Sequence, residues 1–314
     1  MEPYQQLEKE YADFVGSQHA VSCSSGTAAL HLALLTVGVK PGDEVIVPDF
    51  AMAACAFAVS YCGAKPIFVD VEEGTYGLNP AKLETKITSR TKAILVVHTY
   101  GRLADMKAIL SIAKKYTLPV IEDACEAQGA VHHSKATVTV WSFFKNKIVA
   151  AEEGGMLTTN SKKIADRATY LKNMAFGPAH DYFHTDIGYN YRLANAEAIL
   201  ALKSLRAYTQ NAKKRRQIEM WYNDYLIKKM PLHDAVWFFE THVPKKAKQK
   251  ILKAIASARD CFKPLSSFPM YGGTEGAPIA RRLSETLMLL PAHPTITKQK
   301  VKEISQVVNQ YVHE

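Results

Sequence analysis

No stretch of the 314-residue chain approaches the ~20 uninterrupted apolar residues that a membrane-spanning helix needs. The opening "MEPYQQLEKEYADFVG" lacks the basic start and apolar block of a secretory leader, and its spacing predicts an acidic amphipathic helix. Cysteine is sparse: five residues (Cys23, Cys55, Cys62, Cys125, Cys261), none in a CxxC pair. That scatter argues against a disulfide framework or a zinc ribbon and points to reduced thiols. His132 and His133 are adjacent, so in a regular element they point different ways and make a poor metal pair. Internal repeats and low-complexity linkers are also missing. The expectation is a cytoplasmic protein with no membrane span and no metal.

Acidic residues are outnumbered, 30 against 39 basic ones, for a formal charge of +9. The basic runs are "KKRR" at 213–216 and "PKKAKQK" at 244–250. Both lie in strongly helical stretches with apolar residues between the charges. They are therefore expected to be solvated helix faces, not a nucleic-acid surface. A positive field also suits a phosphorylated small substrate.

With 47% hydrophobic residues, the chain can bury a full core. From residue 19 to about 160, "HAVSC", "DEVIVP", "KPIFVDV", "KAILVVH", "LPVIED", "TVTVWSF" and "GGMLTT" read as strands. Helical patterns alternate with them: "GTAALHLALLTVGV", "AMAACAFAVSYC", "NPAKLETKI" and "DMKAILSIAKKY". β-Branched runs followed by amphipathic helices predict βαβ units and a mostly parallel α/β sheet. After a His/Tyr/Gly-rich loop at 176–192, two long helices are predicted, about 193–207 and 208–230. A tail follows: strand "AVWFFETHV", helix 245–257, a Pro-rich segment 263–278 and a terminal helix from about 297. The division expected is a large domain, 1–210, and a small α+β domain, 211–314.

Ligands of open α/β sheets collect beyond the carboxyl ends of the strands, and four candidate sites fall there. In "SCSSGTAAL" (22–30) a helix starts at Gly26–Thr27, which suits an anion, although a plain N-cap by Ser24 or Ser25 explains it too. "VIEDACEAQG" (120–129) delivers Asp123 to a strand end, where a buried carboxylate needs a cation, with Glu126 three residues on. A capped or salt-bridged Asp is the plainer alternative. "WSFFKNKIVAAEEGG" (141–155) holds Lys145 and Lys147; a desolvated lysine there has a lowered pKa and can form a Schiff base, while a solvated one does nothing. "GYNYR" (188–192), after "HDYFH" (180–184), is rich in donors for phosphate and hydroxyl groups, or is an ordinary surface loop.

In order and spacing, these strings resemble the sugar aminotransferases of the DegT/DnrJ/EryC1/StrS family, part of the aspartate aminotransferase (fold type I) group of pyridoxal-phosphate (PLP) enzymes. The resemblance runs from about residue 7 to 310. The family pattern Ser-Phe-aromatic-x-Asn-Lys falls on Ser142–Lys147, which implies that Lys147 is the Schiff-base lysine and Lys145 a bystander. It further implies that Asp123 pairs with the pyridinium nitrogen, that Glu126 meets the ring hydroxyl, and that Gly26, Thr27 and Ser142 hold the phosphate. Asn190 is implied to reach the phosphate of a partner subunit, which makes a homodimer functionally necessary. His98, Tyr100, His184, Tyr191, Arg192 and Arg259 are the candidates for contact with substrate. The implied reaction moves the amino group of L-glutamate to a nucleotide-linked 4-keto-6-deoxy sugar. Glu126 and "GYNYRLAN" lean toward the GDP-perosamine synthase branch. A sugar dehydratase of the same fold and a degenerate non-catalytic relative are the alternatives.

The chain departs from the pattern in places. Where the family carries Thr and then an aromatic residue that stacks on the ring, this sequence has Ala51 and Met52. The segment "HHSKATVTVW" is short and lacks its customary glycines, and Glu152 replaces a usual Gly.

Overall fold

Ser25, Asn79, Asp105, Ser161 and Thr297 each accept a backbone N–H in the first turn of the helix they open. Polar N-caps of this kind satisfy donors that a helix start leaves orphaned, so these helix starts are written locally. A computed structural model describes residues 1–177, 180 and 182–312. Its helices are α1 (Pro3–Val15), α2 (Gly26–Thr36), α3 (Ala54–Tyr61), α4 (Pro80–Leu83), α5 (Met106–Lys115), α6 (Lys162–Lys172), α7 (Asn195–Arg206), α8 (Tyr208–Tyr225), α9 (Lys245–Ala254), α10 (Pro278–Thr286) and α11 (Lys298–Asn309).

All seven strands expected before residue 160 are present: β1 (His19–Cys23), β2 (Glu44–Pro48), β3 (Lys65–Val69), β4 (Thr91–Val97), β5 (Val120–Asp123), β6 (Val138–Ser142) and β7 (Gly155–Thr159). They form one sheet in the order β1-β7-β6-β5-β4-β2-β3. Only β7 runs against its neighbours, β1 and β6; the other pairings are parallel. Strands β2, β5 and β6 are buried along their whole length. That is the signature of a sheet covered on both faces, and it explains why these strands read as continuous apolar runs. The fold is α/β, built on a mostly parallel sheet, as the sequence pattern predicts.

A second sheet of three strands, ordered β8-β10-β9, holds β8 (Phe239–His242), β9 (Arg259–Asp260) and β10 (Leu287–Leu290). It differs from expectation in two ways. Trp237 and Phe238 precede β8 instead of lying within a strand from 235. α10 runs into β10 with no turn residue between, so local signals had no boundary to mark. The helix α8 crosses the expected division at 210: Tyr208 packs with the core under α1 and α7, while Ile218 and Tyr222 belong to the core of the second sheet.

The basic runs are not simply solvated. Arg215 and Lys248 are buried, because α8 and α9 turn those positions onto neighbouring elements. No helix among the described residues is long and apolar enough to cross a membrane, and all five cysteines are free thiols.

Candidate active site

The parallel pairing of β5 with β6 sets Asp123 beside Val140, so Asp123 and Ser142 arrive at neighbouring strand ends. The β1–β7 pairing, Cys23 opposite Gly155, brings the start of α2 to the same edge. A Cβ on Gly26 would stand 2.9 Å from the Ser142 Cβ, so the helix start approaches β6 this closely only as glycine. The result is a cavity of about 450 Å³ lined by Gly26, Thr27, Met52, Asp123, Glu126, Ser142 and Lys147, with Trp237 and Phe238 from before β8 and Arg259 and Phe262 from in and after β9.

Ser25 caps Ala28 N at 3.0 Å. The first N–H groups of α2 have no intrahelical acceptor and sit at the positive end of its dipole. Gly26 and Thr27 line the cavity at that point. The Asp123 carboxylate accepts from Cys55 Sγ at 3.3 Å and from Cys125 N at 3.0 Å, and no cationic side chain is ion-paired with it among the described residues. An anion cradle, a buried carboxylate short of a cation and a lysine in one cavity fit a phosphorylated pyridine aldehyde.

The two lysines separate cleanly. Lys145 is 63% exposed, with Glu152 at 4.0 Å. Lys147 is 9% exposed; its Nζ lies 3.8 Å from Glu126 Oε1 and 3.6 Å from the centroid of the Trp237 ring. Its turn is closed by Lys147 N donating to Phe144 O at 2.8 Å. Gln128 braces the turn from below, donating to Ser142 O and Val149 O and accepting from Val149 N.

Burial pushes the Glu126 carboxyl up to about 7, against the pull of Lys147 and of the Tyr100 N–H that it accepts at 2.7 Å; the charge of Asp123 pushes it further up. Between 4.5 and about 7 the folded protein therefore holds a proton that the unfolded chain has lost, and stability falls as pH rises through that window. Glu126→Gln removes the penalty. Thermal unfolding of cofactor-free protein should show the variant more stable than the parent at pH 8, by up to about 3 kcal/mol, and equal to it near pH 4.

The sequence pattern of the DegT/DnrJ/EryC1/StrS aminotransferase family matches residues 2–309. The chain belongs to that family. It is 34% identical to the GDP-perosamine synthase of Caulobacter vibrioides, over 97% of this chain and 89% of that protein. It is also 34% identical to the UDP-2-acetamido-2-deoxy-3-oxo-D-glucuronate aminotransferase of Pseudomonas aeruginosa, over 95% of this chain and 88% of that one. Among solved structures it is similar to NtdA from Bacillus subtilis with bound cofactor PMP, at a TM-score of 0.90 and 26% identity, over 100% of this chain and 78% of that one. The protein is an aminotransferase that works with pyridoxal phosphate.

Several residues expected to meet substrate do not line the cavity of this aminotransferase. His98 is buried beside β4; its Nδ1 accepts from Ala104 N at 3.1 Å, so the proton sits on Nε2, which donates to Glu122 at 2.9 Å. Both nitrogens are thereby committed. Tyr100 is buried with φ +57°, and its hydroxyl accepts from Phe262 N at 2.8 Å. It serves the site through its backbone, by holding Glu126. Tyr191 reaches His31 Nδ1 at 3.2 Å, behind the cradle, and its carbonyl accepts from Ser24 N. Arg192 donates to Asn173, and Asn190 and His184 face solvent. Among the described residues, the loop carrying these side chains contributes none to the cavity lining.

Trp237 and Arg215 were not anticipated. Trp237 donates from Nε1 to Asn146 O at 3.1 Å, and Arg215 donates to the carbonyls of Trp237, Asn146 and Lys147. The sequence signal for Trp237 was a large aromatic in a presumed strand; Arg215 was hidden in a basic run.

Proposed function

We propose that this aminotransferase transfers the amino group of L-glutamate to a GDP-linked 4-keto-6-deoxy sugar, with Lys147 as the residue that carries the cofactor. The observation that supports it is one cavity lined by Gly26, Thr27, Asp123, Ser142 and Lys147 together. When bound, the cofactor supplies an electron-accepting ring and an aldehyde that takes up and gives back the amine. The start of α2, with the Thr27 and Ser142 hydroxyls, would anchor its phosphate. Asp123 would hold the proton on the ring nitrogen, and Glu126 would serve the ring oxygen. Lys147 Nζ moves the proton between the carbon that loses the amine and the carbon that gains it. Arg259, on the cavity wall beside Phe238, is placed to meet an anionic substrate group.

The base and sugar follow the relatives: GDP-perosamine synthases from Caulobacter vibrioides and Escherichia coli are each 34% identical to this chain. The reading includes a homodimer, and an exposed apolar loop supports that part of it. The 176–192 loop turns Tyr182 and Ile187 to solvent, 77% and 82% exposed, beside Asn190, whose donors have no place in its own cavity. In the homodimer we infer, a second subunit would cover these apolar side chains, and Asn190 would reach toward that subunit's phosphate cradle.

The test incubates the PLP-loaded enzyme and glutamate with GDP-, UDP- and dTDP-linked 4-keto sugars and reads products by mass. An amine formed fastest from the GDP sugar is expected. Amination of only a UDP or dTDP sugar overturns the base assignment, and a dehydrated product without nitrogen overturns the reaction type.

Met52 sits on the cavity rim, 52% exposed, at the position where the family resemblance implies an aromatic ring. A thioether packs on a π-face less well than an aromatic ring does. Met52→Tyr is expected to tighten pyridoxal phosphate roughly 3- to 10-fold in a fluorescence titration. Unchanged affinity would place residue 52 away from the ring.

A further inference from the structure

We propose that the indole face of Trp237 is the berth on which the Lys147 ammonium rests whenever that amine is not bonded to the cofactor, and that Arg215 keeps the berth in register. The inference rests on the reading that Lys147 carries the cofactor. A lysine with that task alternates between a bonded state and a free one. In the free state an ammonium must be accommodated in a largely buried place, where loss of water is costly unless a partner compensates.

The structure has that partner. Lys147 Nζ lies 3.6 Å from the Trp237 ring centroid, within reach of the strongest aromatic attraction for a cation, with Glu126 Oε1 at 3.8 Å. The ring is not free to turn away. Its Nε1 donates to Asn146 O at 3.1 Å, one residue before the lysine, and the Tyr100 ring is stacked against it at 6.3 Å between centroids. Both sides of the contact are then tied to one guanidinium. Arg215 donates to Trp237 O at 2.5 Å, to Asn146 O at 3.2 Å and to Lys147 O at 3.3 Å.

Arg215 is buried and has no carboxylate partner among the described residues. Its Nε makes no hydrogen bond, and burial brings its pKa down to about 10. A buried guanidinium satisfied mainly by carbonyls at one turn does not add to stability in any evident way. It does fix the distance between the lysine turn and the aromatic face. Trp237 and Arg215 are thus positioning residues. The other charged or titratable groups around the amine are Asp123, Cys125 and Glu126 from the end of β5, Glu153 before β7, and Arg259 and Asp260 of β9.

The test uses full-length protein freed of cofactor and mixed with pyridoxal phosphate across a pH series. The rate at which visible absorbance appears requires the neutral amine, so its pH midpoint reports the proton on Lys147. Trp237→Leu is expected to lower that midpoint by about one pH unit, because the free ammonium loses its aromatic partner. Trp237→Phe should fall between Leu and the parent. Arg215→Lys keeps the charge but loses the planar fork whose two ends reach Trp237 O and the Asn146 and Lys147 carbonyls, and should move the midpoint in the same direction. A uniform loss of rate with an unmoved midpoint in both Trp237 variants means plain packing and overturns the berth. If Trp237→Leu does not take up cofactor, the Phe variant decides: an unmoved midpoint overturns the proposal and a lowered one supports it. Borohydride reduction followed by peptide mass keeps the two readings apart. Trapping on Lys147 without a midpoint shift sinks the berth alone, whereas trapping on another lysine sinks the assignment of Lys147 itself.

Discussion

Lys147→Ala should leave a folded protein whose aminotransfer rate is lower by on the order of 10³- to 10⁴-fold, with the visible absorbance of the reconstituted enzyme altered. The magnitude is that of removing a positioned proton-transfer group. The expectation of an intact fold is specific to this site. Without the Lys147 amine, Glu126 loses the charge that pulls its carboxyl down and keeps the burial that raises it. It then stays protonated at neutral pH, so no unpaired charge is stranded in the cavity. Circular dichroism should therefore show native structure. Lys145→Ala is the internal control: its amine is exposed and only loosely paired with Glu152 at 4.0 Å, and such pairs contribute little. Equal losses in the two variants would mean that burial has been misread as function. Steady-state turnover with glutamate and the keto sugar, measured beside the absorbance spectrum, distinguishes the cases.

Asp123→Asn is the second large effect expected, a fall in kcat/KM on the order of 10²- to 10³-fold. The substitution preserves shape. The side-chain oxygen can still accept the Cys125 N–H that Asp123 accepts at 3.0 Å, so the end of β5 should not move. What disappears is a full negative charge, in a place where a neutral amide cannot hold a proton on a ring nitrogen. The loss should appear in both half-reactions, since each needs the electron-accepting ring. It should also appear as weaker cofactor binding in a titration. Turnover within tenfold of the parent would remove Asp123 from its assigned role and leave its buried carboxylate without an account.

The position of Asp123 was legible because strand ends are local events. A β-branched run such as "LPVIED" ends where its apolar residues end, and the parallel sheet rule says that chemistry collects there. The seven strands of the large sheet were legible for the same reason, with Gly, Pro and Asp marking their limits. Failure came where a backbone turn reverses what local pattern suggests. Tyr100 follows a strand end, yet its left-handed backbone, φ +57°, sends the ring into the core. His98 stands one residue past β4 and is captured by Glu122 and Ala104 N.

By itself, then, the amino-acid order determined which residues end strands and start helices, since capping, β-branching and glycine act within a few positions of one another. It also determined which lysine falls on the family pattern. Only the tertiary structure decided what surrounds that lysine's amine. Trp237 and Arg215 lie 90 and 68 residues from it along the chain, and no local propensity relates such positions. Their meeting depends on how α8 and the segment before β8 pack against the end of β6, where burial, aromatic contact and shared carbonyls select one arrangement.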